Sequence, residues 1–304
     1  MERSIALVTG GTAGIGFELA RALATRGLTV VVTGRDEERG HAAVAGLRRA
    51  AGHERVEFLA VDHLLIGANQ RLAQRLGGHL DRLDLLVNNV GRVFPRREET
   101  TEGNEATLAL NFLGPVALTE ALRPLLLASA PGRVVNMNSS AHKMWRRDPL
   151  DDLQSRARYV GISAHARAKL LNLIWTVALA RQLDGAAVVA NAVNPGAAWT
   201  PGTAQLTPEA VPFWRPIWPI VRFFQRRGSA EKAAETPLWL ALDPAAATVS
   251  GEYFEKKKPK KLPGPAEDPR QRERVIWAAE ELIAAATTST THGDPPKTEP
   301  HTNT

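Results

Sequence analysis

Short apolar runs alternate along the chain with longer stretches in which apolar residues recur every three or four positions. Residues 5–8, 28–33, 55–61, 83–87, 132–137 and 187–193 are runs of aliphatic and β-branched side chains, and they predict six strands. Residues 17–24, 36–51, around 70–76, 102–127 and 165–183 carry the wider spacing of helices. Strand followed by helix, repeated, marks a parallel sheet wound on both faces, so the expected class is α/β. Beyond these, 229–242 predicts a helix, 249–254 a last strand and 273–286 a closing amphipathic helix. From Thr287 onward Thr, Pro, His and Asp dominate with no apolar face. The expectation is one domain over 1–286 and a disordered tail over 287–304.

With 304 residues and 44% hydrophobic content, the chain can bury one large core. It has no cysteine, which removes disulfides, thiolate catalysis and cysteine zinc sites, and no His/carboxylate cluster has metal-ligand spacing. The net charge is +6, partly from the lysines in 256–261. Arginines elsewhere are scattered among acids and no aromatic-interleaved basic stripe exists, so 256–261 reads as a solvated loop and nucleic acid is not expected. The first strand begins within a few residues of the start and no apolar run reaches membrane-spanning length, so a soluble cytoplasmic protein without membrane contact is the expectation.

The chemistry starts at the first strand. Thr9-Gly10-Gly11-Thr12-Ala13-Gly14-Ile15-Gly16 follows an apolar run and opens a helix, and a second apolar run completes a βαβ unit. Gly10 permits a sharp turn, Gly14 lets backbone approach a bulky anion, and Gly16 lets helix and strand close up. Free N–H groups at the helix start, around Ile15, then face a pyrophosphate in a Rossmann-type fold. The second strand ends in Gly34-Arg35 rather than the usual acid, and a guanidinium there suits a 2′-phosphate, so NADP(H) is expected over NAD. Arg35 as a solvated loop cation, with Asp36 serving the ribose, is the alternative.

The spacing Thr9-Gly-x-x-x-Gly-x-Gly16 resembles the short-chain dehydrogenase/reductase family, and the resemblance covers about residues 4–286. It implies further cofactor contacts from Thr9, Thr12, Asp62 at the end of the third strand, and Asn89 and Gly91 in Asn88-Asn89-Val90-Gly91. Pro195, Gly196 and Thr200 in Asn194-Pro195-Gly196-Ala197-Ala198-Trp199-Thr200 would lie beside the nicotinamide. Asn111 in Leu110-Asn111-Phe112-Leu113-Gly114 resembles the family's helical active-site Asn. Val135-Asn136-Met137-Asn138-Ser139-Ser140-Ala141-His142 is similar to the retinol-dehydrogenase-like branch and puts the catalytic Ser at Ser139, with Ser140 the alternative. Residues 204–227, rich in aromatics and proline, correspond to the family's substrate lid. An apolar small-molecule substrate and a homodimer or homotetramer paired through two long helices are implied.

The family carries Tyr-x-x-x-Lys at the start of the long helix. Here Lys169 matches and the Tyr position is His165. Tyr159 lies ten residues before Lys169, which is not one helical turn, so it reads as a loop or pocket residue. Asn111, Ser139, His165 and Lys169 are therefore the candidate catalytic residues of an NADP(H)-dependent reductase of an apolar ketone or aldehyde. His165 or an acidic hydroxyl of the substrate would supply the proton. The competing expectation is a non-redox protein on the same fold, performing dehydration, cyclisation or isomerisation or binding cofactor silently.

Overall fold

A computed structural model describes residues 4–198, 204, 207–211 and 228–291. Its centre is one eight-stranded sheet in the order β3-β2-β1-β4-β5-β6-β7-β8. The strands are β1 (Ile5–Val8), β2 (Thr29–Gly34), β3 (Val56–Ala60), β4 (Leu85–Asn88), β5 (Gly132–Met137), β6 (Val188–Asn194), β7 (Tyr253–Glu255) and β8 (Lys258–Lys260). All neighbours pair in parallel except β7 and β8. The order reverses between β1 and β4, which opens a crevice at the strands' C-terminal ends.

Both faces of the sheet are covered, which explains why its strands read as unbroken apolar runs. On one face Ala6 and Val8 of β1 meet Leu19 and Leu23 of α1 (Gly14–Ala24), Leu47 of α2 (Glu37–Ala51) and Leu240 of α7 (Ala230–Leu242). On the other, Leu7 faces the layer holding Leu76 of α3 (Ile66–Gly77), Leu122 of α5 (Gly114–Leu127) and Leu171 of α6 (Gly161–Gln182). α2 starts where the Asp36 carboxylate accepts from the Arg39 N–H and stops at Gly52, which takes φ +70°. Ser229 caps α7 in the same way.

The structure departs from the sequence expectations in four places. The helix expected over 102–127 begins later, as α4 (Ala106–Leu108), because Glu105 caps it by accepting from the Thr107 and Leu108 N–H groups. It then passes through a π turn, Ala109–Leu113, before α5. The Thr107 carbonyl, the α-helical acceptor for residue 111, takes the Asn111 side chain at 2.9 Å. Secondly, the last strand is Tyr253–Glu255 alone, and the lysine-rich 256–261 is no plain loop. It turns through Lys256 and Lys257 at φ 52° and 59° into β8, an exposed antiparallel edge whose charged side chains discourage further pairing. Thirdly, the closing helix α9 is Pro269–Thr291, beyond the boundary expected at Ala286, which is itself buried; residues 292–304 lie outside the described residues. Fourthly, α6 is buried along nearly all its length, with α8 (Gly264–Glu267) and α9 packed over it in the same chain. It also begins one turn before the expected start at His165. The lid expected over 204–227 lies outside the described residues except 204 and 207–211, where Ala210 and Val211 are buried.

Inside this apolar frame runs a line of buried amides. Asn88 Nδ2 donates to Thr119 Oγ1 at 2.9 Å and to Asn136 Oδ1 at 2.8 Å. Asn136 Nδ2 donates to Thr176 Oγ1 at 2.9 Å, and Thr176 donates on to the Asn172 carbonyl at 2.7 Å. Asn138 Nδ2 donates to the Lys169 carbonyl at 2.9 Å. These bonds register β4, β5 and α6 against one another where side-chain shape alone would leave freedom. Asn136→Leu, similar in volume, strands the Asn88 donor, and the expected loss is about 2–4 kcal/mol of unfolding free energy. Urea denaturation measures it, and a change below about 0.5 kcal/mol would show that the amides are not holding the strands.

Candidate active site

The cradle at the crevice is made of backbone. Gly10 and Gly14 take φ +65° and +57°, the left-handed region that favours glycine. A Cβ on Gly16 would lie 2.5 Å from the Gly10 carbonyl and 2.5 Å from Asn89 Nδ2, so only glycine lets α1 start this close to β1. No side chain caps α1 and its first turn carries no acid. The N–H groups there are free for an anion, and a pyrophosphate fits both the shape and the polarity.

Under the cradle the polar groups are tied down. Thr9 is buried, and its hydroxyl donates to the Val87 carbonyl and accepts from the N–H groups of Asn89 and Val90. Asn89 Nδ2 donates to the Thr9 carbonyl at 2.8 Å. Both residues therefore brace the turn from below. His63, which the sequence did not single out, does the same from the loop after β3. Asn69 uses its Nδ2 on the Leu65 carbonyl, so its Oδ1 must accept from His63 Nδ1 at 2.6 Å. Nε2 is then an acceptor for the Thr33 hydroxyl at 2.7 Å, and Thr33 Oγ1 is left to accept from the Gly10 N–H at 3.3 Å. Burial pushes the His63 pKa down and keeps that neutral tautomer.

Arg35 is exposed at the end of β2 and pairs with none of the described residues. Asp36 is occupied as the α2 cap and by Arg39 at 3.1 Å. Thr12 packs beside Gly34, where a Cβ would come within 3.0 Å of it. Asp62, half-buried, accepts from the Leu64 N–H. Of the expected cofactor residues, Gly10, Gly14, Ile15, Gly16, Asn89, Gly91, Lys169, Pro195 and Gly196 line one cavity of about 390 Å³. Thr9, Thr12, Arg35 and Asp62 do not line it, and Thr200 lies outside the described residues.

The same cavity reaches Ser139, His165 and Lys169. α6 carries His165, Lys169, Asn172 and Thr176 at steps of four, three and four, which puts them on one face aimed at the end of β5. Lys169 is buried, with Nζ donating to the Met137 carbonyl at 2.8 Å, and burial pushes its pKa down to about 8. Ser139 Oγ accepts from the Ala141 N–H, which leaves its own proton free to donate into the cavity. Ser140 is exposed and outside it. Gly91 is squeezed between Asn111 and Lys169, where a Cβ would lie 2.9 Å from Asn111 Oδ1.

Two expected catalytic groups are changed by their surroundings. Asn111 is fully buried and its amide is spent on backbone: Nδ2 donates to the carbonyls of Arg92 and Thr107, and Oδ1 accepts from the Arg92 N–H. It grips the Arg92 peptide and does not line the cavity. His165 has an enclosed Nδ1 with no partner, and burial together with the Lys169 charge pushes its pKa down to about 3, the Arg92 carbonyl opposing only in part. The ring is neutral throughout the physiological range. Tyr159 does not reach the cavity; its hydroxyl bonds to Thr107 Oγ1 and the Phe94 carbonyl, and burial raises its pKa. Asn136, Asn138 and Asn172 were not foreseen as site residues, although Asn136 on β5 and Asn138 just past its end, and Asn172 three beyond Lys169, are polar positions facing one way. Arg92, also unforeseen, lines the cavity beside Gly91.

The sequence model of the short chain dehydrogenase family matches residues 4–210. Dehydrogenase/reductase SDR family member 13 of Bos taurus is 35% identical over 289 residues, spanning 92% of this chain and 72% of the relative. Retinol dehydrogenase 12 of Mus musculus is 33% identical over 279 residues, spanning 92% and 86%. Among solved structures, an actinorhodin polyketide ketoreductase with NADPH superposes with a TM-score of 0.66 at 27% identity, covering 83% of this chain and 95% of that one.

The His165 environment has a pH consequence. Its folded pKa, about 3, lies below the ordinary 6.5, so in the window between them the unfolded chain binds the proton. This group's contribution makes stability fall as pH drops from about 6.5 toward 3, and gives no titration near neutrality. The imidazole NMR shifts of His165 should stay flat from about pH 5 to 8, and an inflection near 6.5 would mean that the ring sits in water.

Proposed function

The chain belongs to the short-chain dehydrogenase/reductase family, in its retinol-dehydrogenase-like branch, and from that footing we propose an NADP(H)-dependent oxidoreductase that reduces the carbonyl of an apolar small molecule. The observation that carries this reading is the continuity of one cavity from the glycine turn to Ser139 and Lys169. Its relatives include retinol and polyprenol dehydrogenases, whose names point to apolar compounds. Bound NADPH supplies a hydride to the carbonyl carbon.

The chain's own groups divide the remaining work. The glycine turn and α1 hold the pyrophosphate, and Arg35 meets the 2′-phosphate because Asp36 is engaged elsewhere. The Ser139 hydroxyl donates to the carbonyl oxygen and makes the carbonyl carbon more electrophilic. A neutral imidazole is a poor acid, so His165 does not protonate the alkoxide as a tyrosine would. Lys169 takes that step: an ammonium whose pKa is about 8 is well matched to proton transfer near neutrality. Asn111 positions residue 92 rather than touching the reactants.

A second reading is favoured by one observation, the neutral His165 in the family's tyrosine place. There the fold performs dehydration, cyclisation or isomerisation, or binds cofactor without turnover. Purified protein assayed for NADPH oxidation over a panel of apolar ketones and aldehydes separates the two, and silence across the panel favours the second.

Three outcomes are expected under the first reading. NADPH binds more tightly than NADH, and Arg35→Asp abolishes the preference, with a lost phosphate contact costing about 1.5–3 kcal/mol, roughly ten-fold or more in affinity. Equal affinities of the unmutated protein for both cofactors would sink the assignment. In addition, Lys169 must be protonated to act, so kcat falls about ten-fold per pH unit above pH 8. His165→Tyr restores a phenol beside Ser139 and Lys169, and should raise kcat by about ten-fold or more without changing the affinity for NADPH. A flat profile from pH 7 to 9 in the unmutated protein would refute the lysine's role.

A further inference from the structure

We propose that Arg92 is an anion-recognising residue of the active-site cavity, and that the otherwise apolar compound handled there carries one ionised oxygen acid, a carboxylate or an acidic enol, close to its carbonyl. This deepens the reductase reading and rests on it for the carbonyl, though not for the anion.

The argument starts from how firmly this residue is placed. Asn111 grips its peptide on both sides, accepting from the Arg92 N–H at 3.2 Å and donating to its carbonyl at 2.9 Å. The guanidinium lies over the ring of Phe94, 4.8 Å from its centre, and Phe94 is buried. A cation stacked on a fixed ring and carried on a clamped peptide is presented in one orientation.

What that guanidinium lacks is a partner. Its Nε is enclosed without a hydrogen bond, and the side chain pairs with no described residue. The two described arginines that are buried differ in the rest of the guanidinium, which finds partners: Arg133 donates to the carbonyls of Leu240 and Asp243, and Arg167 through its Nη groups to those of Asp151 and Leu153 and to Ser155. No described residue lining the cavity is an Asp or Glu. Residues 204–227, which correspond to the family's lid, include a single acid, Glu209, against four arginines. An enclosed donor left unpaired costs free energy, and a charged partner brought by a ligand relieves that cost with charge-assisted, two-pronged bonds. The cofactor's pyrophosphate has the N–H groups of the glycine turn. Arg92 stands past Gly91 on the side of His165, where its own carbonyl faces that ring, so the anion it awaits belongs to the second ligand.

The test uses the full chain loaded with NADP⁺ and two matched probe pairs: 2-oxooctanoate with its methyl ester, and 1,3-cyclohexanedione with cyclohexanone. Dissociation constants come from calorimetry, so no turnover is needed. At least one acidic member should bind about ten-fold or more tightly than its neutral partner, and the pair that shows it tells carboxylate from enol. Arg92→Leu should erase that preference, Arg92→Lys should restore part of it, and NADPH affinity should stay within about two-fold in both. If the leucine variant fails to fold, Arg92→Gln, which keeps length and polarity, carries the comparison. No preference in either pair overturns the proposal, as does a loss of NADPH affinity in step with the probes, which would give Arg92 to the cofactor. A preference that needs Arg92, found in protein that oxidises no NADPH with any of the four compounds, would uphold the anion site while removing the reductase reading.

Discussion

The C-terminal ends of β4 and β5 are held against α6 by hydrogen bonds among Asn88, Asn136, Asn138, Asn172 and Thr176, and the cavity's geometry is set by that join. Apolar packing brings the layers together without fixing where one slides on another. Buried amides do fix it, since a shift of an ångström would break several bonds that no water could replace. Through Asn138 the strand grips the very turn of helix that carries Lys169, and the ammonium reaches the Met137 carbonyl one residue earlier on the same strand. Asn172 continues the line to the Asn111 carbonyl in the π turn.

A second set of polar ties holds the other half of the crevice. Thr9, Asn89 and the relay from Asn69 through His63 and Thr33 to Gly10 leave the glycine turn's backbone no slack. Gly91 is the point where the two systems meet, in contact with Asn111 and Lys169 at once. Such rigidity is what a site needs when a cofactor and a second ligand must meet at bonding distance.

The sequence carried the frame well because a sheet covered on both faces has a strong periodic signature. All six strands expected before residue 200 are present, and Gly10, Gly14 and Gly16 show the turn that their spacing implied. It carried the chemistry less completely, for physical reasons. That Asn111 would spend its amide on the Arg92 peptide depends on a π turn, which leaves no mark in hydrophobic spacing. Asp36 was read as the start of a helix or a ribose contact, not as the α2 cap it forms, and the two-residue turn at Lys256 and Lys257 was not read either, since lysines in left-handed backbone contradict local preference. Arg92 was invisible because an arginine in a loop is ordinarily solvated, and only the third dimension shows its Nε enclosed.

The replacement of the family's tyrosine by His165 changes more than one side chain's acidity. A phenol beside a lysine is stabilised as the charged form by that lysine, so the two groups cooperate. An imidazole in the same place is charged only when protonated, and the ammonium then repels it; the pair can hold one positive charge comfortably, not two. Burial settles which group carries it, because Lys169 has the Met137 carbonyl as an acceptor and His165 Nδ1 has no partner. The histidine is therefore the member that stays neutral, and the lysine is left as the one acid among the cavity's described residues whose pKa lies near the pH of the cell. With Arg92 adding a second cation to a cavity that no described carboxylate lines, the charge carried by its described lining side chains is positive whatever the protonation state of Lys169. A positive cavity stabilises a developing alkoxide and draws an anionic ligand by the same field.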